Sequence, residues 1–326
     1  MAGVSAATVT SQTDTRTPAL GALIVLGSAA LFGMLGPLSN VAYAAGLDPL
    51  ALVAWRSGIA TLAVGAVIAW QARVGTARFV RLGAVPVRQR RALLIAALTA
   101  ATLNICIFSA FDRVTVALAL LGFYTFPAMI AAVGVVTGRE PLDRTRAVAL
   151  VLALVGMGLV VAGQLDPAAG VRFDALGLGL ALGAAVSQTV FVTVSRDGYP
   201  AVPLLQAGAV VLAGGFVAAS LLAVVRGSAG VIVAPLVDSS LLPLLLFAGI
   251  VTATIPSLGF LAGIRSLGGT RAGILMLFEP VVGVTLAAWL LDERLLPIQI
   301  LGGAAILVAA ALIQRGIATS QPERAA

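Results

Sequence analysis

One acid stands where acids are costly. Glu279 lies inside the apolar span 272–291, immediately before Pro280. A carboxylate in hydrocarbon costs about 2.5–3.5 kcal/mol on insertion scales, so it needs a partner, water or a proton. Two readings follow. As a transport group, Glu279 takes and releases a proton, or meets a substrate amine, as a cavity alternates between two sides. As a structural group, it stays protonated or pairs with backbone opened by the proline. Pro280 has no N–H, and so frees the carbonyl of Met276 four residues back.

Arg56 is the second charge in an apolar span, seven residues after Pro49 and near one end of the second span. Arginine does not deprotonate, so it must snorkel outward or meet an anion or carbonyls. It is either a counter-charge for a substrate carboxylate or for Glu279, or a tie to a neighbouring helix end. Phe123, Tyr124 and Phe126 precede Pro127, which frees the carbonyl of Phe123. Exposed carbonyls beside rings suit a pocket for small amphipathic molecules, and aromatic packing is the alternative. Asn104 and Gln188 join this candidate set, and Pro127 and Pro280 are the candidate helix hinges. Thr189, Thr252, Thr254 and Ser257 are also polar and deep in spans, where interhelical hydrogen bonding is the ordinary use.

Other chemistries are excluded or unsupported. With no histidine and one cysteine, Cys106, the chain assembles neither a usual zinc site nor a serine–histidine pair. No phosphate-binding loop is present, and the sequence calls for no metal and no cofactor. Twenty arginines against thirteen acids resemble a nucleic-acid footprint. They sit in short loops between apolar runs, however, which is the positive-inside pattern of a membrane protein, so no nucleic-acid partner is expected.

These groups must be positioned by spans. Sixty per cent hydrophobic and ten per cent charged residues exclude a soluble domain of this size. Uncharged runs cover 17–47, 57–72 (extended back to Pro49), 92–111, 114–138, 147–165, 175–195, 198–225, 239–264, 272–291 around Glu279, and 295–314. About twenty residues cross the hydrocarbon as a helix, so the sequence predicts ten transmembrane helices in an all-α polytopic membrane protein. With both termini cytoplasmic, fifteen arginines fall inside, four outside and Arg56 within a span.

The two halves echo each other. Glu140 follows Pro127 by thirteen residues, as Glu293 follows Pro280. Five helices per half is an odd number, so the second repeat must be inverted, the usual build of secondary transporters with a site at the repeat interface. The expected organisation is a disordered cytoplasmic tail 1–17, a first repeat 18–165, a second repeat 174–315 and a cytoplasmic tail 316–326. Gly156 with Gly158, and Gly302 with Gly303, allow close helix contacts as scaffold or as the seam of a homodimer. Trp70 and Trp289, near span ends, are expected interface anchors.

Over about residues 19–315 the chain resembles the EamA family of the drug/metabolite transporter superfamily. Carrying the resemblance are Pro49 with Arg56, Asn104-Ile-Cys-Ile-Phe-Ser-Ala leading to Pro127, Glu140, and Glu279-Pro280-Val281 followed by Leu290, Glu293, Gln299 and Gly302. Gly33 departs from it, standing where the family commonly has an aromatic residue in helix one. The glycine expected early in helix five occurs only as Gly156. The resemblance implies ten helices in a five-plus-five inverted repeat around a central cavity, and usually efflux of amino acids or other small metabolites.

The combined reading is a multi-pass protein of the cytoplasmic membrane that exports small metabolites, amino acids among the candidates, by alternating access. An importer or a multidrug carrier of the same fold is the alternative within transport. A membrane subunit of a larger complex and an intramembrane enzyme are weaker alternatives, and no enzymatic activity is expected. The only nearby acid for an aspartate-type pair, Asp112, lies at a span end. The longest basic loop, 73–91, reads as a topology signal.

Overall fold

The computed structural model describes residues 18–139, 142–163, 174–237, 239–291 and 296–318. Glu140, Glu293, the first seventeen residues and residues 319–326 lie outside them, as do the side chains of Trp289 and Leu290. Among the described residues all regular structure is helical: α1 (Pro18–Phe32), α2 (Leu35–Ala44), α3 (Pro49–Arg73), α4 (Val87–Arg113), α5 (Val116–Phe123), α6 (Phe126–Val136), α7 (Arg144–Ala162) and α8 (Ala175–Asp197). Then come α9 (Leu204–Val225), α10 (Gly230–Val237), α11 (Leu242–Gly249), α12 (Ile255–Leu267), α13 (Gly269–Met276), α14 (Glu279–Leu291) and α15 (Pro297–Ala318).

Eight helical stretches are long and apolar enough to cross a membrane, and Pro297–Ile313 adds a shorter apolar helix. A helix satisfies its own backbone groups, which lipid cannot do, and this is why apolar runs of this length become helices. Their starts are written in the sequence. Asp48, with Pro49 behind it, accepts from the Leu50 N–H at 2.7 Å; Asp143 accepts from Arg146 at 2.8 Å and Asp174 from Leu176 at 3.0 Å. Gly268, at φ 85°, joins α12 directly to α13 in a turn that a side chain would strain.

Several spans are not the single helices their apolar runs predict. The first breaks at Gly33–Met34 into α1 and α2, the fourth at Tyr124–Thr125 into α5 and α6, and a third break at Leu277–Phe278 separates α13 from α14. The stretch Ser239–Leu267 holds a π-helical turn, Ile250–Thr254, between α11 and α12. The breaks fall before the prolines rather than at them, because proline fits the first turn of a helix, where its missing N–H has no partner to lose.

Packing joins the two halves. Among the largest interfaces α7 pairs with α15, α4 with α8, α3 with α9 and α1 with α12, and α6 packs on α13. Each pair takes one helix from each half, and exchanging the halves maps this pairing onto itself. The α7–α15 contact rests on glycine: a Cβ at Gly156 would come within 2.6 Å of the Gly302 carbonyl oxygen. These two glycines therefore serve contact within the chain.

Candidate functional site

A cavity of about 110 Å³ lies between the halves, at the level of the helix breaks. Its walls are mainly apolar, with phenylalanine the commonest residue among them. Phe123 and Phe126 flank the break between α5 and α6, and Phe32, Phe108, Phe111, Phe191 and Phe260 join them, seven of the twelve phenylalanines in the chain. The rings of Phe123 and Phe126 are 5.0 Å apart, and Tyr124 lies 5.5 Å from Phe123.

Arg56, Asn104, Gln188 and Glu279 line the same space. Arg56 is only 4% exposed, so it does not snorkel. Its Nη1 donates to Asn104 Oδ1 at 2.8 Å and its Nη2 to the carbonyl oxygen of Thr252 at 2.6 Å. Its guanidinium stands 5.5 Å from the Phe108 ring centre, within reach of the ring's negative face. One arginine thus clasps a helix of each half.

The acceptor at Thr252 has a covalent cause. Pro256, four residues on, lacks the N–H that would bond that carbonyl in a regular helix. The adjoining π-helical turn widens the backbone at the same point. Glu279 opens α14 and is buried, with Arg56 and Tyr124 as its electrostatic partners. At the head of a helix a carboxylate faces the positive end of the peptide dipoles, which offsets part of its burial cost. The Tyr124 hydroxyl is coupled to Glu279 yet has no well-aligned hydrogen-bond partner, and Arg56 Nε and Gln188 Oε1 are also buried without one. Such orphans cost free energy, and around a cavity they are groups a ligand can satisfy.

Six side chains singled out from the sequence, Glu279, Arg56, Tyr124, Phe123, Asn104 and Gln188, therefore meet at one place, with Pro127 and Pro280 in the first turns of α6 and α14. Ser257 also lines the cavity. The three threonines do not bond between helices as expected. Thr189, Thr252 and Thr254 each return their hydroxyl to a carbonyl of their own helix, at 2.8 Å, because that acceptor is always within reach.

Sequence reasoning missed the clasp on Thr252 and five of the aromatic walls. Signals existed: Pro256 marks the free carbonyl, Phe108 is one helical turn beyond Asn104, and Phe191 is nearly one turn beyond Gln188. The departure at Gly33 also gains a reason. A Cβ there would lie 2.7 Å from the main-chain oxygen of Glu279 and 3.2 Å from Gly283 N. The break between α1 and α2 seats on the α14 backbone, and a larger residue would push the acid away. Among the described residues no cluster of ligating side chains could hold a metal.

A protein of known crystal structure shares this fold, with a TM-score of 0.67 at 19% identity, covering 92% of this chain and 99% of that one. No curated protein matches the chain by sequence. The model of the EamA-like transporter family matches twice, over residues 19–162 and 175–315, which are the two halves that pack across the cavity. The chain belongs to the EamA-like transporter family and is a two-repeat membrane transporter of the drug/metabolite type.

Proposed function

We propose that this protein is a secondary carrier of the cytoplasmic membrane that exports small amphipathic metabolites, amino acids with apolar side chains among them. The observation that carries the reading is the compensated pair in the aromatic cavity: one acid, Glu279, and one arginine, Arg56, drawn from opposite halves. With Glu279 ionised the pair is neutral; with Glu279 protonated the cavity holds one net positive charge. Proton and substrate amine then compete for the same carboxyl, and release of one admits the other. The substrate carboxylate turns toward Arg56, and the apolar body lies among the phenylalanines.

In this reading α13 and α14 form a ninth span and α15 a tenth, giving five helices per repeat. The second repeat is inverted, and both termini face the cytoplasm, on the side of the arginine-rich loops. Helices rock or bend at the breaks beside Pro127 and Pro280, opening the cavity to each side in turn.

The test is counterflow in proteoliposomes preloaded with an unlabelled amino-acid mixture, with and without an imposed pH gradient. Labelled uptake should require the preload in the wild type and vanish in Glu279→Gln. Uptake retained by a folded Glu279→Gln protein at every pH would return Glu279 to structure. No counterflow with any pool would remove the amino-acid reading.

A further inference from the structure

The face formed by residues 73–91 is basic in a way that topology alone does not require. Arg73, Arg78, Arg81, Arg88, Arg90 and Arg91 are all exposed, and no acid occurs between Asp48 and Asp112. Among the described residues none of the six is ion-paired. A signal for orientation needs only the charge count, and a floppy loop would supply it.

This loop is held. The Gln206 side-chain amide, itself 4% exposed, donates to the Val80 carbonyl at 2.7 Å and accepts from the Val80 N–H at 3.1 Å. Gln89 Oε1 accepts from Ala201 N at 3.0 Å, and Val85 is buried. With Val80 drawn inward, its neighbours Phe79 and Arg81 stand exposed.

The arginines also sit above lipid-facing surface. On α4, Arg91 lies one turn from Leu94 and Ile95 and two turns from Leu98, all exposed apolar residues, so the charge continues their stripe. On α3, Arg73 continues the stripe of Leu62 and Trp70, which are 75% and 62% exposed. At a rise of about 1.5 Å per residue Arg91 and Arg73 lie roughly 5 Å along their helices from Leu94 and Trp70, a spacing from which a long guanidinium side chain reaches headgroups. Phe79, 62% exposed, and Trp70 are placed to enter the same interface.

We propose that residues 73–91 form a preorganised binding face for the phosphates of anionic phospholipids in the leaflet they abut. Guanidinium forks suit phosphate oxygens, and a rigid loop loses less freedom on binding than a mobile one. The grip on Gln206 connects the face to α9, whose Gly208 and Val211 line the cavity. The proposal rests on membrane insertion alone, so it stands apart from substrate and direction.

The experiment compares the purified full chain in nanodiscs of phosphatidylcholine alone and of phosphatidylcholine with one fifth phosphatidylglycerol. The readouts are thermal unfolding and the lipid retained in native mass spectrometry. The wild type should retain phosphatidylglycerol preferentially and unfold at higher temperature with it, and 1 M salt should remove both effects. Arg78→Gln/Arg81→Gln leaves four arginines to fix orientation and should weaken retention about 25-fold, roughly fivefold per arginine. Arg226→Gln, at the opposite end of α9, should change neither readout. Equal retention of the two lipids by the wild type overturns the proposal, whatever the variant does. So does an unchanged double variant, or displacement by millimolar inorganic phosphate, which would mark a simple anion site.

Discussion

Two of the broken helices, one in each repeat, invite comparison. In the first repeat α5 stops at Phe123 and α6 restarts at Phe126; in the second α13 stops at Met276 and α14 restarts at Glu279. Each gap is two residues, and each restart is followed by proline, Pro127 or Pro280. The backbone device is the same, yet the residue before the proline is an aromatic ring in one half and a carboxyl in the other. Both are buried, Phe126 at 1% and Glu279 at 9% exposure. The repeat thus supplies the hinge twice and the charge once. A second acid would face the first across a cavity with one arginine, where like charges in a poorly solvated space repel.

The strongest way to break this comparison is to make the halves alike. Phe126→Glu places an acid at both restarts and leaves one of them without a cation. The expected loss is about 3–5 kcal/mol, the cost of an uncompensated buried charge. Size-exclusion chromatography in mild detergent should show loss of the monodisperse peak. A peak like the wild type's would mean the asymmetry carries no physical weight.

A milder change acts on the carboxyl through its backbone. Gly33→Ala puts a methyl group against the Glu279 carbonyl oxygen. Relief requires α14 to shift by several tenths of an ångström, and overpacking of this kind costs about 1–3 kcal/mol. Thermal unfolding should fall accordingly, while Gly27→Ala, within α1 six residues before the break and with open space at its Cβ, should be neutral. Equal behaviour of the two would show that α1 does not seat Glu279.

The prolines test the hinge itself. Both lie in the first turn of their helices, so Pro127→Ala and Pro280→Ala should each cost only about 0.5–1 kcal/mol, through the freer unfolded chain. Counterflow rates should fall further than stability does, and by similar factors in the two variants, if the halves bend alike. A defect confined to Pro280→Ala would make the second repeat the moving one.

What could be read from the sequence divides along the same line. The apolar runs, the proline breaks and the charges in hydrocarbon were legible, because each is a local violation of what lipid tolerates. Arg56 and Glu279 announce themselves in this way, and so does the family motif around Pro280. The convergence of Phe191 and Phe260 on the same cavity was not legible. A phenylalanine in an apolar span violates nothing, and only the packing of α8 on α4 and of α12 on α1 decides which rings face inward. The clasp of Arg56 on Thr252 lay between: Pro256 marks a free carbonyl, but nothing local says which donor, from a helix almost two hundred residues away, will take it.

The smallest effect is expected outside both breaks, where it serves as a reference for them. Arg113, at the end of α4, donates to Asp174, the cap of α8, at 3.0 Å. The Arg113 hydrogen bond, with the Leu176 N–H, holds the Asp174 carboxyl below the usual carboxylate range. A depressed acid stabilises the fold above its unfolded pKa, about 3.9, and this contribution is lost as pH falls through the lower folded value. Asp174→Asn should therefore lower the unfolding temperature slightly and evenly between pH 7 and 5, and the difference from wild type should close below about pH 4. Both groups are solvent-accessible, so salt should shrink the effect as well. A loss as large as that of Phe126→Glu would contradict the view that charge matters here chiefly where lipid or cavity, rather than water, surrounds it.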